Sequence, residues 1–139
     1  MRWGVSIMIL GLLFSSCGES KKSAAAAYPY RLIDQKKSKE GPVDKQISTY
    51  VYSDKIDSEQ LKSFFISKQI EAEKNYNDID LLIVIFDKKE NAFIPRDVNF
   101  AEFGMDEKKS KSVRAYYCYK KMNKYSEWYN SETEKYEKL

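Results

Sequence analysis

From residue 46 to 53 the chain alternates with a period of two, Ile47, Thr49 and Val51 on one face against Ser48, Tyr50 and Tyr52 on the other. β-Branched and aromatic residues at that spacing predict a strand. Residues 28–36 predict an earlier strand, with Tyr30, Leu32 and Asp34 set against Arg31 and Ile33. Ser38-Lys39-Glu40-Gly41-Pro42 supplies the turn between the two, since Gly and Pro break regular structure most strongly. The period then changes. Over 57–76, Leu61, Phe64, Phe65, Ala72 and Tyr76 recur at helical spacing along one stripe. Asp57 with Gln60 three residues on has the form of a capping box, and Ile56 with Leu61 that of a hydrophobic staple. Ile66 and Ile70 lie on a second face of this helix, which a simple surface helix would leave polar.

Leu81-Leu82-Ile83-Val84-Ile85-Phe86 is an unbroken apolar run between Asp80 and Asp87. Such a run predicts a central strand buried on both faces, parallel to a neighbour. Strand 46–53, helix 57–76 and strand 79–87 therefore predict a crossover unit. Ala92-Phe93-Ile94 predicts a short return strand at an edge, ended by Pro95. Residues 96–112 are irregular and broken at Gly104. In 113–121, Val113, Ala115, Tyr117 and Tyr119 alternate with Arg114, Tyr116, Cys118 and Lys120, a last strand. The expected fold is α+β, a mixed sheet of four to five strands with one main helix on one face. The domain covers 28–122, and 123–139 reads as a C-terminal segment that is frayed or helical.

The N-terminus has another character. Arg2 precedes an apolar stretch of about a dozen residues, against the roughly 20 that a membrane-spanning helix needs, so it reads as the core of a signal peptide. It leads into Leu13-Phe14-Ser15-Ser16-Cys17. This resembles the lipobox of bacterial lipoproteins, with Phe14 where Leu is usual. The resemblance implies cleavage of residues 1–16 and attachment of lipid to Cys17. Two or three acyl chains make a durable anchor where one does not. Residues 17–27 then form a tether, rich in Lys, Ser and Ala. Its ten residues after Cys17 span about 16–19 Å as a flexible chain. The domain is thus expected in the cell envelope, held at a membrane through Cys17. Over about residues 30–119, the order of Tyr30-Arg31-Leu32-Ile33, charged helix and Leu82-Ile83-Val84-Ile85-Phe86-Asp87 also resembles an uncharacterised family of small secreted bacterial and phage domains. That resemblance implies a fold and no activity.

Composition narrows the chemistry. The 139 residues contain 24 Lys+Arg, 21 Asp+Glu, two Cys and no His. Without histidine, Ser-His-Asp and Cys-His catalysis and His-bearing zinc sites are excluded. Removing residues 1–16 takes away one charge, Arg2, and leaves 23 basic against 21 acidic side chains, net +2. The lysine pairs are scattered beside acidic residues, so no nucleic-acid surface is expected. Cys118 reads as a buried structural thiol. Asp78, Asp80 and Asp87 around the central strand, with Asp97, Glu102 and Asp106 after it, are the carboxylates that hydrolysis or Ca²⁺ would require. None has EF-hand spacing, and caps explain helix-end aspartates equally well. Ser63, Ser67 and Lys68 offer a Ser-Lys pair, but on an exposed helix face and without a Gly-rich turn for an oxyanion hole.

Tyrosine is the one excess, at eleven residues. Tyr and Trp are favoured at interfaces because they combine a large contact area with a polar tip. Tyr116, Trp128 and Tyr129 are the candidate contact residues, with an aromatic core as the competing explanation. The expected function is a non-catalytic binding module, without cofactor or metal, whose partner is another envelope protein. The alternatives are a small carboxylate-dependent envelope hydrolase and a structural or inhibitory subunit of an envelope complex.

Overall fold

The computed structural model describes residues 27–99 and 110–139. Its elements are β1 Arg31–Glu40, β2 Val43–Val51, α1 Ser58–Asn75, β3 Ile79–Phe86, β4 Val113–Lys120, β5 Tyr125–Asn130 and β6 Lys135–Glu137. The strands form one six-stranded sheet in sequence order. Neighbours are antiparallel except β2 and β3, which run parallel because α1 carries the chain back between them. The fold is α+β, with a mixed sheet larger than the expected four to five strands. The signal peptide 1–16, Cys17 and the tether up to residue 26 lie outside the described residues, as do Glu102, Gly104 and Asp106.

The helix begins as its sequence dictates. Asp57 caps it, its carboxylate accepting the Gln60 N–H at 2.7 Å, and Ile56 and Leu61 are both buried beside the cap. Leu61, Phe64, Phe65 and Ala72 pack onto the sheet, while Ile66 and Ile70 stay exposed. Beneath α1 lie Leu81, Ile83 and Ile85 of β3, Tyr117 and Tyr119 of β4, and Trp128 of β5. The opposite face has its own apolar layer, Ile47, Leu82, Val84, Phe86, Tyr116 and Cys118, with Val98 packed on it. Every residue of β3 except Asp80 is buried, so the strand expected to be central and dry is both.

Three expectations are corrected. The return strand at Ala92-Phe93-Ile94 does not form. A 3₁₀ turn at Lys89–Asn91 follows the interior strand β3, and Ala92, Phe93 and Ile94 pack across the second face instead. The Thr49 hydroxyl fixes this segment by donating to the Phe93 carbonyl at 3.2 Å. Residues 123–139 are neither frayed nor helical, because they supply β5 and β6. Last, strict alternation in β4 fails at its start. A bulge between Ile85 and Phe86 pairs Phe86 with Val113 and Ile85 with Ala115, leaving Arg114 as the extra residue. Val113 consequently packs on the second face rather than with Ala115.

The bulge places Arg114 where it can tie three segments. Its guanidinium donates to the carbonyls of Tyr52 and Asp54 at 3.1 and 2.6 Å and pairs with Glu132. Glu132 also accepts the Ile56 N–H at 2.9 Å, while Asn130 donates to the Ser58 hydroxyl at 3.0 Å. The β5–β6 hairpin is thereby fastened to the start of α1, which explains why this end of the chain is ordered into strands.

Candidate functional site

Period-two alternation sets the chemistry of the second sheet face at its β4–β6 end. Register pairs Tyr116 with Tyr129, Cys118 with Glu127 and Lys120 with Tyr125, and on β6 Tyr136 stands opposite Tyr129. Ring centroids lie 5.7 Å apart for Tyr116–Tyr129, 4.7 Å for Tyr129–Tyr136 and 6.3 Å for Tyr116–Tyr136. A groove of about 500 Å³ opens here, floored by Tyr116, Cys118 and Glu127 and walled by Tyr125, Tyr136 and Lys120, with Asn99 and Asn123 at its rim. Exposure rises across it, from 4% at Tyr116 to 36% at Tyr125 and 64% at Tyr136.

Glu127 organises the polar part. It accepts the Tyr116 hydroxyl at 2.8 Å, with Tyr125 lining the groove two residues away on the same strand. Burial first, and then this carboxylate, push the Tyr116 phenol far up and the Tyr125 phenol up to about 12. Both therefore remain protonated donors at neutral pH. Lys120 donates its ammonium to the Asn99 side-chain oxygen. Cys118 is buried, its thiol 3.5 Å from the Val98 carbonyl, and burial pushes it up to about 11. A thiol held that high is not a nucleophile. The groove thus offers aromatic faces, tyrosine hydroxyls, an ammonium and one carboxylate, a set suited to holding a ligand.

Of the three aromatic candidates from sequence, Tyr116 and Tyr129 come together here. Trp128 does not. One residue out of phase with Tyr129, it points to the other face, where it is 4% exposed and meets Phe65 edge-on at 6.3 Å. Its side chain belongs to the core under α1, and its indole N–H is buried with no hydrogen-bond partner among the described residues. Tyr136 and Glu127 were not singled out from the sequence. Their signal was the alternation of Tyr125, Glu127 and Tyr129, obscured because the turns flanking β5 contain neither Gly nor Pro.

The carboxylate candidates are dispersed. Asp80 and Asp87 stand seven residues apart along β3, about 23 Å at ~3.3 Å per residue, too far to share a substrate bond. Asp87 accepts the Asn91 amide at 2.9 Å. At the other end, Asp97 and Glu40 both pair with Lys45. Asp80, in register with Lys45 and Lys120, is pushed up chiefly by burial. Burial alone would raise Asp97 as well, but the Asn99 N–H and Lys45 hold it below the usual range. Asp78 enters none of these pairs; its backbone carbonyl accepts the Asp44 N–H. Ser67 donates to the Phe64 carbonyl and Lys68 pairs with Glu71 at 2.8 Å, so these two do not form a catalytic pair. Among the described residues no group of three or more Cys, Asp or Glu could hold a metal ion.

Comparison with protein families, with curated proteins and with solved structures returns no match to this chain. Among the described residues no helix is long and apolar enough to cross a membrane.

Proposed function

We propose that this chain is a membrane-anchored lipoprotein of the cell envelope, held through lipid on Cys17, and that its domain is a non-catalytic binding module. The observation that carries the binding reading is the groove of β4–β6. Tyr116, Tyr129 and Tyr136 form a contiguous ring cluster there, next to the Glu127 carboxylate that accepts the Tyr116 hydroxyl. Aromatic side chains with few rotatable bonds make strong contacts at little entropic cost. The partner is another envelope protein, and neither cofactor nor nucleic acid is required. A hydrolase would call for two carboxylates about 5–10 Å apart over one cleft. Glu127 is the one carboxylate lining the groove among the described residues.

The test is chemical crosslinking of the intact lipoprotein in its native envelope, comparing wild type with Tyr129→Ala and Tyr136→Ala. Tyr136 is exposed and Tyr129 half-buried, so both variants are expected to keep the wild-type circular dichroism. Removing a central aromatic contact commonly weakens an interface by about 2 kcal/mol, roughly thirtyfold. The expected result is one dominant adduct in wild type that is lost in both folded variants. An adduct of equal yield in all three proteins would contradict the assignment. Turnover of a glycan abolished by Glu127→Gln would favour the hydrolase.

A further inference from the structure

The outer face of α1 is explained neither by the core nor by the groove. Ile66 and Ile70, one turn apart, are 38% and 46% exposed. Lys62 and Lys74 continue the same line one turn before and one turn after. Spacing of four residues places all four on one strip of the helix. A helix that merely covers a sheet carries polar residues on that side.

A second groove, of about 520 Å³, adjoins this strip between α1 and the β4–β5 turn. Lys62, Lys121, Lys124 and Lys138 line it together with Ile66, and its described lining includes no carboxylate side chain. Met122, between two of these lysines in the turn, is 58% exposed. The carboxylate side chains of this side are Glu59, exposed in the first turn of α1, Glu73, which accepts the Tyr119 hydroxyl and a Gln69 amide N–H, and the exposed Glu137 opposite Trp128. Five lysines, Lys62, Lys74, Lys121, Lys124 and Lys138, thus stand against three carboxylate side chains, Glu59, Glu73 and Glu137, on the side that exposes Ile66, Ile70 and Met122.

We propose that this face is a docking surface for an anionic phospholipid membrane, with α1 lying flat on the headgroups. The chemistry selects that occupant. A soluble anion would use the lysines and leave Ile66, Ile70 and Met122 in water. The boundary between headgroups and acyl chains accepts both, aliphatic side chains entering it while lysines meet phosphate. This inference rests on the lipoprotein reading for proximity. Lipid on Cys17 would let the domain touch the membrane, and attraction to anionic headgroups acts within about 10 Å of that surface. Because α1 and the aromatic groove occupy opposite sheet faces, docking would turn the groove away from the membrane toward the envelope space.

The experiment uses the lipoprotein purified from its envelope and reconstituted into vesicles of phosphatidylcholine, with or without phosphatidylglycerol. Acetylation of each lysine is followed by mass spectrometry. The expected result is at least threefold slower labelling of Lys62, Lys74, Lys121 and Lys124 in the anionic vesicles than in the neutral ones. Lys88 and Lys89 should be unchanged, and the protection should disappear in high salt and in the folded variant Ile66→Glu/Ile70→Glu. Equal labelling in both vesicles would overturn the proposal. So would protection independent of anionic lipid, which would mean a protein contact, or protection that survives the double substitution. The same digest reports the Cys17 peptide. Acylated Cys17 without lysine protection defeats docking alone. Unacylated Cys17 defeats the lipoprotein reading, and the same labelling of protein added to preformed vesicles then decides docking.

Discussion

Tyr30 and Tyr119 carry their phenols into or beside the layer beneath α1, and burial, the largest cause, pushes both up to about 12. An unfolded tyrosine ionises near pH 10, so the native state holds these protons more tightly than the unfolded chain does. The stability this represents is complete below about pH 10 and is lost as pH rises toward 12. Urea melts should accordingly give a constant midpoint from about pH 7 to 9 and a falling one above about pH 10. A midpoint at pH 11 equal to that at pH 8 would mean that these phenols are solvated in the native state. Cys118 makes a parallel case. Buried and pushed up to about 11, it should react with a disulfide reagent at pH 8 at least a hundredfold more slowly in native protein than in denaturant, as absorbance of the released thiolate would report. Rapid native labelling of Cys118 would reopen its role as a reactive thiol.

Among the elements, β3 carries the fold. Val84 lies on the second face between Thr49 and Tyr116 and is 1% exposed. Val84→Asp would leave a carboxylate there without a partner, at a cost of about 3–5 kcal/mol against a total stability of about 5–15. The variant should lose its cooperative thermal transition, and a melt close to wild type would refute the dry central strand. This strand and α1 were legible in the sequence because β3 is an unbroken apolar run between two aspartates and α1 keeps its apolar stripe and announces its cap at Asp57. Two kinds of element were not. β5 and β6 are bounded by turns ending at Lys124 and Glu134, non-glycine residues at φ 50° and 52°, so composition did not mark them. Bulges did the rest. They shift the register between Leu32 and Asp34 in β1 and insert Arg114 in β4, breaking an alternation that the residues alone suggest. The site shared this fate. Tyr116 and Tyr129 were visible as aromatics, but without strand register the phase separating Tyr129 from Trp128 could not be assigned, and Tyr136 lacked a strand to stand on.

For the whole molecule, the proposed function gives the two faces of the sheet different tasks. One face is closed by α1, whose outer strip of lysines and isoleucines suits a membrane surface. The other is half covered by the segment from Ala92 to Val98 and leaves the tyrosine groove open at its β4–β6 end. The proposed docking draws its proximity from attachment at Cys17, and that attachment is the central claim of the functional reading. Its most direct test is tandem mass spectrometry of the protein extracted from its own membrane. Anchoring predicts an N-terminal peptide beginning at Cys17 and carrying diacylglycerol on sulfur, with neither lipid nor cleavage at that bond in Cys17→Ala. A protein whose Cys17 bears a free thiol within an uncleaved chain, or whose N-terminus lies elsewhere, would contradict it.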